Sequence, residues 1–153
     1  MLIGHARTDA LALDYVVRTD DGFATLDADV TGTVDGAAVS WKIARAGGDW
    51  TLNGAEVPGL RGAVDVDLSF TPATNLLPLR RLPLGADWTD VTAAWFVPGD
   101  ETLRPLDQGY RRIGPDRVAY RAATGFAADL TVAASGFVTH YPGLWTGEVE
   151  DVG

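Results

Sequence analysis

Apolar and polar residues alternate with a period of two along most of the chain, and Gly, Asp and Pro interrupt the alternation at short intervals. A two-residue period sends successive side chains to opposite faces, so the pattern predicts half-buried β-strands. Leu11, Leu13, Tyr15 and Val17 share one face of an early strand that Asp20-Asp21-Gly22 closes. Residues 23–34 continue extended, with Leu26, Ala28 and Val30 opposite Asp27 and Asp29. Asp35-Gly36 signals a two-residue hairpin, because both positions tolerate positive φ. Val39, Trp41 and Ile43 follow at strand spacing, and Gly47-Gly48 and Asn53-Gly54 flank a short stretch holding Trp50 and Leu52. Val57-Pro58-Gly59 marks a further turn.

The clearest strand spans residues 63–71, where Val64, Val66, Leu68 and Phe70 face one way and Asp65, Asp67, Ser69 and Thr71 the other. One face is expected to be dry and the other wet or turned to a ligand. Pro72, Pro78 and Pro83 then forbid a central strand, since each lacks a backbone donor. The apolar Leu76, Leu77, Leu79, Leu82 and Leu84 between them predict an ordered loop or short helical turn with buried leucines. A strand over 88–97 and two hairpins, around Gly114-Pro115-Asp116 and Ser135-Gly136, complete about nine strand candidates. No amphipathic helix of about ten residues or more is visible. The pattern predicts an all-β barrel, half-barrel or sandwich.

Length and charge narrow this further. At 153 residues the chain has the size of one domain, 1–153, and can bury roughly 70% of its unfolded surface without a metal or disulfide staple. It has no cysteine, which removes thiol catalysis and zinc–thiolate or iron–sulfur sites. No cofactor is predicted. The net charge of −9 lacks the basic footprint of a nucleic-acid binder and disfavours docking on anionic membranes. His5, Arg7, Thr8 and Asp9 interrupt the N-terminal apolar residues, so no secretory signal is read, and no stretch approaches a membrane span. These features predict a soluble, cytoplasmic protein, with an acidic tail over 147–153 that frays.

Candidate chemistry is sparse. Asp65 and Asp67 share a strand face roughly 7 Å apart, a spacing compatible with acid–base work on a glycoside. The plainer reading is a polar strand face that ties down the following loop. His5 and His140 stand in no metal-ligand pattern, and no metal site is predicted. The glycines serve turns and form no phosphate-binding motif. Arg80-Arg81 and Arg111-Arg112 place guanidinium forks beside leucines and Tyr110. Such forks suit a carboxylate or phosphate head group, or else pair internally with Asp65, Asp67 or Asp107. Of the five tryptophans, Trp145 in the Tyr141-to-Trp145 segment YPGLW is the candidate for a cavity rim.

Three blocks carry a resemblance. They are GAVDVDLSFTPATNLLPLRRL from Gly62 to Leu82, LDQGYRRIGPDRVAYRA from Leu106 to Ala122, and GFAADLTVAASGFVTHYPGLW from Gly125 to Trp145. Together they resemble the signature of a bacterial family described as "putative glycolipid-binding". The positions matching the signature include Asp65, Asp67, Thr71, Asn75, Arg80, Arg81, Tyr110, Tyr120, Tyr141 and Trp145. Ala63 stands where many members have Cys, and the chain is shorter than typical members between Ile43 and Trp50. The resemblance implies a strongly curved antiparallel sheet or incomplete β-barrel with few short helical turns and a hydrophobic concavity. It is similar in architecture to carriers of lipoproteins, and it implies no catalytic residue.

The leading expectation is therefore non-enzymatic binding of a glycolipid or similar amphiphile, without nucleic acid or stable membrane insertion. Leu76, Leu77 and Leu79 would hold the tail. The expected ligand-binding set is Asp67, Asn75, Leu77, Arg80, Arg81, Tyr110, Tyr141 and Trp145. The alternatives are a hydrolase acting on a sugar or lipid ester through Asp65 and Asp67, and an interaction module whose concavity is filled.

Overall fold

The computed structural model describes residues 1–150. The first sheet is an antiparallel meander of six strands in chain order: β1 (Leu2–Arg7), β2 (Leu11–Thr19), β3 (Thr25–Val34), β4 (Ala37–Ala46), β5 (Asp49–Leu52) and β6 (Ala55–Val57). The second has seven: β7 (Asp65–Leu68), β8 (Thr89–Phe96), β9 (Leu103–Arg112), β10 (Arg117–Ala122), β11 (Ala127–Val132), β12 (Val138–Tyr141) and β13 (Trp145–Thr146). All neighbours in it are antiparallel except β7 and β8, which are parallel. A parallel pair needs a crossover. Here the proline-rich segment supplies it, as a 3-10 turn (Pro72–Asn75) running into a helix α1 (Leu76–Arg81). The whole is an all-β, strongly curved antiparallel half-barrel with few short helical turns.

The meander is built by turn chemistry. Asp35 and Gly36 have φ of 48° and 79°, and Asn53 and Gly54 have 49° and 82°. These left-handed pairs match the twist of the strands they join. One strand differs from its sequence pattern. Leu26, expected beside Ala28 and Val30, is 46% exposed. The pairing of β2 with β3 slips between Arg18 and Thr19, which turns Thr25 inward in its place. The Thr25 N–H donates to the Val64 carbonyl (3.2 Å), and its Oγ1 accepts from the Val66 N–H (3.0 Å). A bulge in the first sheet thus becomes the stitch that holds the second.

Register assigns the faces of the second sheet. Val66 and Leu68 lie across from Ala94 and Phe96, and these side chains meet the inner face of the first sheet. That core holds Tyr15, Trp41, Ile43 and Trp50, with Trp41 edge-on to Phe96 at 5.0 Å between centroids. On the opposite, concave face Asp65 and Asp67 share a side with Ala93, Trp95, Leu106, Gln108, Tyr110 and Tyr120. A second, smaller core forms there from Tyr110, Val118, Tyr120, Leu130, Val132, Val138 and Tyr141, with Leu79 and Leu84 packed against it. The polar face of β7 is therefore not a solvent face, and Asp65 is only 2% exposed.

The pattern did not announce β1, an edge strand, or the short strands β5, β6 and β13. The expected fraying over 147–153 lies, for residues 151–153, outside the described residues. Among the described residues, no helix is long and apolar enough to cross a membrane.

Candidate functional site

The crossover segment positions the site by being sewn to its neighbours. Thr71 caps the 3-10 turn, its Oγ1 accepting the Ala73 N–H (3.2 Å). The same oxygen lies 3.2 Å from the Tyr15 hydroxyl of the first sheet. Pro72 follows at the position where a missing donor costs nothing. Thr74 accepts from the Leu68 N–H (3.3 Å). Leu77 then drops into the main core and Leu79 onto the second core. The helix so plugs one part of the concavity and stops short of the rest.

Beside the plug runs a chain of side-chain hydrogen bonds. Asn75 Nδ2 donates to the Tyr110 hydroxyl (2.9 Å), which lies 3.5 Å from Gln108 Oε1. Gln108 Nε2 donates to Asp67 Oδ2 (2.6 Å) and to the Tyr120 hydroxyl (3.0 Å). Asn75, Gln108, Tyr110 and Tyr120 are all buried. A half-satisfied polar network in such a place would be costly, whereas a satisfied one rigidifies it. One oxygen, Asp67 Oδ1, accepts no hydrogen bond from the described residues.

That carboxyl opens on a hollow of about 510 Å³ between the 3-10 turn and the β12–β13 turn. Its wall is largely aromatic and aliphatic: Phe70, Trp95, Leu106, Phe126, Leu144 and Trp145. Tyr120, Phe126 and Tyr141 pack on one another, with centroids 5.7–6.4 Å apart. Burial pushes the Asp67 carboxyl up to about 6, with Asp65 adding to the rise and the Gln108 hydrogen bond opposing it. Burial likewise raises the Tyr110, Tyr120 and Tyr141 hydroxyls, so all three stay neutral at ordinary pH.

A second hollow, of about 730 Å³, is lined by Arg81, Asp90, Asp107 and Arg121 among others. Its basic groups are already paired. Arg121 pairs with Asp90 at 2.9 Å, the Thr92 hydroxyl donates to Asp107 (2.7 Å), and Arg81 grips Asp65 through both Nε (3.3 Å) and Nη2. Burial pushes the Asp65 carboxyl up, and Arg81 draws it back down. Larger size does not make this the better site, because its guanidinium groups are engaged and, among the described residues, no aromatic side chain lines it.

Of the eight expected ligand residues, Asp67, Asn75, Tyr141 and Trp145 line the aromatic hollow. Tyr110 lies fully buried behind it and holds Asn75. The other three lie elsewhere. Leu77 is 1% exposed in the core, Arg80 reaches the Ser135 carbonyl (3.2 Å) and stacks on Phe23, and Arg81 is bound to Asp65. The leucines therefore fill space, and no leucine of the plug lines the aromatic hollow. Asp65 and Asp67 do not face one cavity together, since the Asp65 carboxylate is held by Arg81. Phe70, Trp95, Leu106, Gln108, Tyr120 and Phe126 were not singled out as ligand residues from the sequence. An exposed aromatic at Phe126, just after Gly125, was the one available signal. Arg111 and Arg121 stack on Trp88 with 4.9 and 4.2 Å to the ring centroid, and Arg112 Nη1 donates to the Pro115 carbonyl (3.1 Å).

A curved sheet with an open aromatic hollow on its concave face, propped by a proline-anchored plug, defines a half-barrel of the ligand-binding kind. Residues 1–147 match the family described as "Putative glycolipid-binding", and the chain belongs to that family. The match takes in the N-terminal third, which lies outside the three blocks that carry the resemblance. The fold is similar to that of a DUF1089 family protein from Pseudomonas aeruginosa known from a crystal structure, with a TM-score of 0.80 and 27% identity. The likeness covers 88% of this chain and 76% of that one. No curated protein is matched.

Proposed function

We propose that the chain binds a glycolipid-like amphiphile in the aromatic hollow without transforming it. One observation carries the proposal: an open hollow of about 510 Å³ has apolar walls and a floor holding Asp67, Tyr120 and Tyr141. Ligand sites commonly fall between roughly 300 and 1,000 Å³ and combine apolar lining with a few convergent polar groups. The polar end of the ligand meets the floor, and its apolar part lies along Trp95, Leu106, Phe126 and the rim residues Leu144 and Trp145. Burial of each methylene contributes about 0.8 kcal/mol, and the floor sets orientation. The family description and the curved sheet support the same reading.

Native mass spectrometry of the purified chain, with displacement of a fluorescent acyl probe by added glycolipid, tests this. Bound lipid or saturable displacement is expected, weakened by Trp145→Ala and Leu144→Glu. Absence of both signals refutes the proposal.

A further inference from the structure

The charges around the hollow are one-sided. Among the described residues, no Lys, Arg or His lines it, and Asp67 is its only acidic lining residue. The two carboxylates of β7 are treated oppositely. Asp65 is gripped by Arg81, whereas Asp67 meets only the neutral amide of Gln108. The other groups facing Asp67 are Asp65 from its own strand, Tyr110 from β9, Tyr120 from β10, Tyr141 from β12 and Asn75 from the 3-10 turn. None is basic, and Arg104, which lies across from Trp95 in the register of β8 and β9, pairs with Asp100 at 3.3 Å. A desolvated carboxylate without a counter-charge is costly.

The rings add to this. Tyr120, Phe126 and Tyr141 form one wall, and Trp95 and Trp145 stand in the same lining. Aromatic faces carry negative charge density and attract a cation held within about 6 Å, Trp most strongly.

We infer that the hollow selects an amphiphile with a cationic, ammonium-type head, such as an amino-sugar lipid or a long-chain amine. The ammonium sits on the unmatched Asp67 Oδ1, and the apolar part follows Trp95, Leu106 and Leu144. This rests on the reading of the hollow as an amphiphile site. An anionic head would meet Asp67 with no guanidinium to offset it. A neutral sugar head would leave the carboxylate uncompensated. Because an ammonium favours the ionised form of a carboxyl that burial pushes up to about 6, affinity is full above that pH and falls as pH drops through it.

The test compares three amphiphiles of equal chain length on the full chain by calorimetry, below their micellar range: dodecylamine, dodecyl glucoside and dodecyl sulfate. Near pH 7.5 the amine is expected to bind roughly tenfold or more tightly than the glucoside, with the sulfate weakest. The preference shrinks near pH 5 and disappears in Asp67→Asn. The pH profile of the unaltered chain decides the matter even where the variant fails to fold. Glucoside binding as tight as the amine, or an amine preference that survives in Asp67→Asn or is flat with pH, overturns the inference while leaving amphiphile binding intact. Failure of all three to bind overturns both.

Discussion

The two sheets treat their inner faces differently. The first sheet closes over a largely apolar core, whose few polar groups are spent on one another: the tryptophan N–H of Trp50 on the Ala63 carbonyl (3.2 Å), and Thr25 on the Val64 and Val66 backbone. The concave face of the second sheet buries Asn75, Gln108, two tyrosine hydroxyls and the Asp65–Arg81 pair, and leaves part of itself open. Both faces arise from the same two-residue alternation. What separates them is what lies opposite. The first sheet meets Val66, Leu68, Ala94 and Phe96, which fill it. The second meets a helix of six residues that covers only part of its width. Stability alone would favour apolar filling over a polar network. The polar floor is therefore the mark of a face shaped by something other than packing.

The strongest test of that contrast is Trp50→Ala. Emptying this fully buried site is expected to cost about 4 kcal/mol in urea unfolding. A loss below about 1 kcal/mol would show that the first sheet is not where stability resides. Next comes Arg81→Leu, which strands the Asp65 carboxylate and costs about 3 kcal/mol at neutral pH. Removing both charges together as Arg81→Leu with Asp65→Leu should restore most of the loss, and a double variant as weak as the single one would contradict the pairing.

Asp67→Asn acts in the opposite direction. The folded carboxyl lies at about 6 and an unfolded aspartate near 3.9. Between these values the folded state holds a proton that the unfolded state has released. Wild-type stability is thus full below about pH 4 and declines as pH rises through about 6. Asn escapes this decline, so the variant should gain up to about 2 kcal/mol at pH 7 and nothing near pH 4. Urea midpoints that move in parallel at the two pH values would remove Asp67 from the polar floor. The smallest expected stability effect is at the rim. Leu144 is 68% exposed, and Leu144→Ala should change stability by less than about 0.5 kcal/mol. Its acyl-probe affinity should still drop several-fold, and an unchanged affinity would place the ligand elsewhere.

Much of the architecture was legible because it is local. Asp35-Gly36 and Asn53-Gly54 made the turns expected of them, and the segment from Pro72 to Pro83 forms no strand, as its three prolines require. Four of the expected ligand residues, Asp67, Asn75, Tyr141 and Trp145, do line one hollow. What was not legible is non-local. Gln108 sits in the same alternation as any strand residue, and only the neighbouring β7 gives its amide Asp67 to bond. Arg80 and Arg81 are adjacent in sequence, yet the turn of α1 sends one to Ser135 and the other to Asp65. Leu26 followed the pattern and still faces outward, because a one-residue slip against β2 reverses its side.

Residue types and their spacing by themselves determined that this is a β-domain, where its hairpins turn, and that a proline-rich segment of leucines follows the strand holding Asp65 and Asp67. Those features depend on backbone dihedral preference and side-chain period, which a chain carries in each short stretch. Tertiary structure alone decided that the leucines fill the core, that Asp65 is neutralised while Asp67 is not, and that an aromatic hollow stays open beside the plug. Each of these depends on which distant strand lies opposite, and on how far a six-residue helix reaches across a seven-stranded sheet.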